Sequence, residues 1–157
     1  LISGIPITAQ SMGIMLCGTI LGARKGALAV ILFVALVALG LPLLAGGRGG
    51  LGVFTTPWAG FLFGFPVAAF ATGLMMRWLR GARVGVSAGI AAVVGGIGVL
   101  NAVAVPYYMA MTGAGLVDAI VTAMLPFLAG DLVKAVAAGA ITGAIHKARP
   151  RAVMSRA

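Results

Sequence analysis

The sequence predicts an all-α integral membrane protein, a single transmembrane domain over residues 1–157, and three observations carry that prediction. Of 157 residues, 62% are hydrophobic and only 8% charged, against about 25% charged in a soluble globular domain. Charge-free stretches run over residues 1–23, 26–47, 49–76 and 84–117, each long enough for the about 20 residues a spanning helix needs. Nine of the eleven Lys and Arg punctuate those stretches in three clusters: Arg24 and Lys25; Arg77, Arg80 and Arg83; Lys147, Arg149, Arg151 and Arg156.

Lys and Arg concentrate in cytoplasmic loops, so the clusters are placed on the cytoplasmic side of the membrane and the carboxy terminus is cytoplasmic. A first segment then runs inward to Arg24, and residues 26–41 return outward, with Leu41 and Pro42 ending the helix. The stretch L-A-G-G-R-G-G-L-G-V-F-T-T-P, residues 44–57, is a Gly-rich outer loop, because irregular backbone cannot face lipid. Residues 58–78 go inward, and residues 85–105 go outward as far as Pro106. Residues 107–125 form a second outer connection with a short helix around Asp118. The last helix starts near Pro126, a favoured first-turn position, and runs inward to about Lys147. Five spans result. The chain opens on Leu1 rather than Met, with no recognisable signal peptide before Pro6, so an upstream segment with room for a sixth helix is expected.

Small residues recur at four-residue spacing: Gly18, Gly22 and Gly26; Gly60 and Gly64; Gly81, Gly85 and Gly89; Gly139 and Gly143. This spacing lets membrane helices approach closely, and the expectation is tight packing within the chain.

Several chemistries are excluded. The net charge of +9 does not imply nucleic acid, since the cations interrupt apolar spans rather than forming one solvated face. Gly47, Gly49 and Gly52 satisfy G-x-G-x-x-G, yet no strand precedes them and no βαβ helix follows. There is no G-x-x-x-x-G-K-[ST], so ATP hydrolysis by a P-loop of this chain is ruled out. The single Cys17 excludes an internal disulfide and multi-cysteine metal sites. The only His, His146, sits in a basic cluster, and Ser3, Ser11, Ser87 and Ser155 have no partner base at readable spacing, so no catalytic residue and no cofactor are expected.

Asp131 and Lys134 carry the strongest signal. The segment P-F-L-A-G-D-L-V-K puts them at i and i+3 on one helix face, at membrane depth, where ionisable groups are costly and face a cavity or each other. A mutual ion pair and a ligand-facing pair are both compatible with that spacing. Gln10, Asn101 and Arg48 also lie toward the outer side, and convergence of rare polar groups in an apolar setting suits a ligand pocket.

P-I-T-A-Q (6–10), G-L-P-L-L-A-G-G-R-G-G (40–50), P-W-A-G-F-L-F-G-F (57–65) and P-F-L-A-G-D-L-V-K (126–134), in that order, together resemble the BioY family of biotin transporter substrate-binding components. The resemblance implies a six-helix membrane domain whose first helix is missing from this sequence, and partners that are a transmembrane coupling protein and a pair of cytoplasmic ATPases. It implies substrate contacts at Asp131 and Lys134, an anionic acceptor for ureido N–H groups and a cation for the valerate carboxylate. Some relatives carry Asn between the glycine pairs, where this chain has Arg48, and Arg after the aromatic of the third motif, where this chain has Leu62. Arg48 is therefore expected to take over the role lost at Leu62, so that the carboxylate is held between Lys134 and Arg48, the alternative being a solvated loop arginine. With Gly47 and Gly49 beside it, Phe61 of the third motif and Tyr107 at the outer turn, the candidate substrate-binding set is Asp131, Lys134, Arg48, Gln10, Gly47, Gly49, Phe61, Asn101 and Tyr107. The expected function is capture of biotin at the outer face for ATP-driven import. The alternatives are an S component for another vitamin such as thiamin, an intramembrane enzyme, or a subunit without ligand.

Overall fold

The computed structural model describes residues 9–156; Leu1, Ser3, Pro6 and most of the P-I-T-A-Q motif lie outside the described residues. Among the described residues five helical rods follow one another: α1 (Gln10–Leu21), α2 (Ala23–Ala38), α3 (Ala59–Trp78), α4 (Val84–Thr112) and α5 (Leu116–Ala148). The last three are long and apolar enough to cross a membrane, whereas α1 and α2 are shorter. At 1.5 Å per residue the 16 residues of α2 reach about 24 Å.

Side chains are sorted by size rather than by polarity. The buried core is rich in alanine: Ala68, Ala69, Ala88, Ala91, Ala92, Ala135 and Ala138 are all 0% exposed, while Val136 is 72%, Leu28 64% and Leu32 61% exposed. A water-soluble fold would bury the larger residues first. Hydrocarbon solvent removes that preference and leaves close backbone approach as the organising force. Gly64 lies against Leu100, Gly60 against Tyr107, Gly18 against Thr72 and Gly139 against Gly85 and Gly89, so much of the four-residue glycine pattern packs helices within the chain. Gly81 is an exception, with no neighbour at the position a Cβ would take, while Gly89 meets Gly139 through its backbone and has open space on its Cβ side.

Two boundaries differ from the sequence expectation and a third is bridged, all at prolines. The α2 helix ends before Leu41 and Pro42 at Gly40 (φ 103°), where Gly40 N–H donates to Val37 O at 3.0 Å and Leu41 N–H to Leu36 O at 3.2 Å; this is a Schellman closure, which needs a left-handed residue. Pro106 does not end α4, which continues to Thr112 and stops at Gly113 (φ 71°). Pro126 does stand in the first turn of the last α-helical run, Leu125–Ala148, and the short helix around Asp118 is Leu116–Ala119, but a π-helical stretch, Ile120–Met124, joins the two into one rod. Proline removes one N–H and crowds the carbonyl four residues back, and membrane helices absorb both by local π adjustment or contacts with neighbouring helices. The expected outer connection of residues 107–125 is thus mostly helix, and Gly113–Gly115 alone joins the rods.

Candidate binding cavity

A cavity of about 490 Å³ opens where the first residues of α1, the loop between α2 and α3, and the upper half of α5 meet, with Leu100 of α4 at its side. The α5 helix presents Asp131 and Lys134, whose i,i+3 spacing puts them on one face. Lys134 Nζ lies 3.0 Å from Asp131 Oδ1, and the two side chains are 15% and 11% exposed. Ser11 of α1 completes the group: its Oγ donates to Asp131 Oδ1 at 2.8 Å and accepts from Lys134 Nζ at 3.0 Å. Both protein donors therefore use Oδ1, and no donor reaches Oδ2 among the described residues. Lys134 has three N–H groups, of which this network employs two.

The loop supplies the second cation. Gly46 and Gly47 hold φ of 77° and 70°, a left-handed pair that side chains disfavour, and the reversal sets Arg48 opposite Leu44 in an isolated bridge. Arg48 Nε donates to Ala45 O at 3.1 Å, and its side chain is exposed at the cavity lip. A Cβ on Gly49 would run into the Leu41 carbonyl, so that glycine presses the loop onto the end of α2, where Gly50 N–H also bonds Val37 O at 2.7 Å. One wall is aromatic: Trp58 lies 6.2 Å from both Phe61 and Phe127 between ring centroids, and Phe61 lies 6.3 Å from Phe127. Leu62 and Phe65 close the apolar base.

Of the nine predicted residues, five line this cavity: Gln10, Arg48, Phe61, Asp131 and Lys134. Gly47 and Gly49 shape the loop behind it. Asn101 is not brought to the cavity; its amide donates to Ile97 O at 2.8 Å within α4. Tyr107 is not brought there either; it packs on Gly60 and Phe63, and its hydroxyl donates to Phe54 O at 3.4 Å. The sequence reading missed Ser11, Trp58, Thr56, Thr122 and Phe127. Trp58 and Phe127 stand inside two of the quoted motifs, so an aromatic in such a motif was the available signal; Ser11 gave none. Two cations and one carboxylate leave the cavity formally at one positive charge, suited to a ligand with an anionic end and a neutral hydrogen-bonding end.

The chain matches a family model described as the BioY family over residues 1–151. A biotin transporter BioY of Rhodobacter capsulatus is 48% identical, over 98% of this chain and 85% of the relative. Its counterpart in Rhizobium etli is 45% identical, over 93% and 80%, and that of Thermotoga maritima 33%, over 91% and 82%. In three dimensions the chain is similar to the crystal structure of the S-component for biotin from an ECF-type ABC transporter, with a TM-score of 0.83 and 28% identity over 92% of this chain and 77% of that one.

Proposed function

The chain belongs to the BioY family, and from that premise we propose that it is the biotin-capturing S component of an energy-coupling-factor importer, delivering biotin inward with a transmembrane coupling protein and a pair of ATPases. It binds and transports without covalent chemistry. The observation that carries this function is the Ser11–Asp131–Lys134 network set against the Trp58–Phe61–Phe127 wall. A ureido ring offers two N–H donors and one carbonyl acceptor. Asp131 Oδ2 takes an N–H, the third N–H of Lys134 donates to the carbonyl, and the fused sulfur ring lies on the aromatic wall.

The direct pairing of Asp131 with Lys134 supports an assignment for the other end of biotin. The ureido group and the carboxylate sit at opposite ends of the molecule, so an extended biotin cannot occupy Asp131 with one end and Lys134, 3.0 Å away, with the other. Lys134 therefore serves the ureido carbonyl, and Arg48 on the closing loop takes the carboxylate. Thiamin carries a permanent positive charge, which a cavity of net positive charge disfavours.

Equilibrium binding in detergent, comparing biotin, biotin amide and thiamin, tests this assignment. Wild-type protein should bind biotin saturably and thiamin not at all. Arg48→Ala should weaken biotin about ten-fold, one charge-assisted hydrogen bond's worth, and leave the amide nearly unchanged. Equal losses for both ligands would reduce Arg48 to a loop-closure residue, and saturable thiamin binding would overturn the substrate class.

The same function requires the cavity to face outward. The three basic clusters do gather at the opposite end of the bundle: Lys25 Nζ lies 3.4 Å from Met154 Sδ, and the Arg156 guanidinium donates to the Leu79 and Arg80 carbonyls. Gly52 in the loop and Gly81 in the basic turn each have open space where a Cβ would stand. In a Cys17→Ala background, Gly52→Cys should react with an impermeant thiol reagent in intact cells and Gly81→Cys only after permeabilisation. The reverse pattern contradicts the orientation.

A further inference from the structure

The chain has two acidic residues, Asp118 and Asp131, and both lie in the half of α5 nearest the binding cavity. The opposite end of the bundle therefore gathers nine cations with no carboxylate side chain to neutralise them. There a second cavity, of about 910 Å³, opens between the start of α4 and the end of α5, and Arg80, Arg83, His146, Lys147 and Arg156 line it.

Its floor is made of Gly85, Gly139 and Gly143, which recede where the two helices meet backbone to backbone. Its lip is Val86, 55% exposed, and the same face of α4 continues one turn on to the exposed Ile90. Ala140 forms the facing lip on α5, and Val136, one turn back, is exposed as well. The cavity thus has a cationic mouth continuous with an apolar flank. Two polar atoms in its wall, His146 Nδ1 and Arg156 Nε, are buried with no hydrogen-bond partner among the described residues, a rare condition for buried polar groups. Burial first, and the Arg80 charge second, pull the Arg156 guanidinium below its usual pKa, as a cation cluster short of anions should.

We infer that this cavity binds the phosphate of an anionic phospholipid, with the phosphate among Arg80, Arg83, Lys147 and Arg156 and an acyl chain along the Val86–Ile90 flank. Free phosphate shares the headgroup's chemistry, but the apolar flank favours the lipid, and basic pockets between membrane helices recognise such headgroups. This inference rests on the membrane orientation proposed above and not on biotin binding.

Native mass spectrometry of the full chain, released from nanodiscs of matched phosphatidylglycerol and phosphatidylcholine, tests it. The wild-type protein should retain phosphatidylglycerol in preference to phosphatidylcholine. Each cation removed should weaken retention about five-fold, so Arg80→Gln with Lys147→Gln should lose roughly twenty-five-fold. Biotin affinity measured on the same samples should not change, which separates lost lipid binding from lost folding. Equal retention of the two lipids by wild-type protein, or undiminished retention by a double variant that still binds biotin, would overturn the site. Displacement of the lipid by an equal concentration of inorganic phosphate would overturn the lipid as its occupant.

Discussion

Asp131→Asn should lower biotin affinity roughly ten- to a hundred-fold, the effect of losing a hydrogen bond to a charged group at about 1.5–3 kcal/mol. Asparagine keeps the size of the side chain but offers one acceptor where aspartate offers two. In the native site Oδ1 is taken by Ser11 and Lys134, at 2.8 and 3.0 Å, and Oδ2 is left without a protein donor among the described residues. An asparagine oxygen turned toward Lys134 would aim its NH₂ at the ureido N–H, donor against donor. Turned the other way it would aim the NH₂ at the lysine ammonium. Either choice also leaves a largely buried cation, 15% exposed, without its counter-charge, and breaking a buried pair from one side is itself costly. Isothermal titration with biotin reads the loss. Because the ureido end is common to both ligands, biotin amide should suffer equally, unlike in the Arg48→Ala case. An unchanged Kd in folded Asp131→Asn protein would mean that the carboxylate merely tethers Lys134.

What the sequence disclosed follows from how local each signal is. Asp131 and Lys134 were legible because a helix converts a three-residue spacing into adjacency, and because only two carboxylates exist in the chain. Ser11 was not, since its contacts to Asp131 and Lys134 join positions 120 and 123 residues apart. Asn101 was drawn to the site by polarity alone. A carbonyl of its own helix satisfies it, as happens when a short polar side chain sits within a turn of a peptide oxygen. The helix boundaries failed for a different reason. Reading Pro106 as a break applies a rule calibrated in water, whereas it lies inside a helical rod here; Pro126 opens its α-helical run as read, but π spacing before it joins that run to the short helix at Leu116. The glycine repeat disclosed that helices pack closely but not which glycines are indispensable: Gly73 and Gly95, outside the four-residue pattern, meet the backbone of neighbouring elements.

Those two glycines give the largest expected loss of stability. A Cβ on Gly73 would fall on the backbone at Gly22 and Ala23, where α1 turns into α2, and one on Gly95 would fall on the backbone N and Oγ1 of Thr72. Thr72 is itself 0% exposed, and its hydroxyl is fixed to the Ala68 carbonyl at 2.8 Å, so it cannot yield by changing rotamer. Overpacking that side chains can absorb costs about 1–3 kcal/mol. Here the obstacle is backbone in the central helix, so Gly73→Ala and Gly95→Ala should exceed that range and replace the monodisperse peak with aggregate in size-exclusion chromatography. Gly98 lies in the same π-helical stretch as Gly95, is exposed, and has its nearest prospective neighbour, Val93 O, at 3.8 Å. Gly98→Ala should therefore be neutral, or stabilising by about 0.4–1 kcal/mol through the entropy removed from the unfolded chain. Thermal unfolding midpoints of the three variants, measured side by side in detergent, decide the matter. Equal midpoints would show that the glycines of α3 and α4 are tolerated as ordinary small residues and that contact at the Cβ does not set the helix separation.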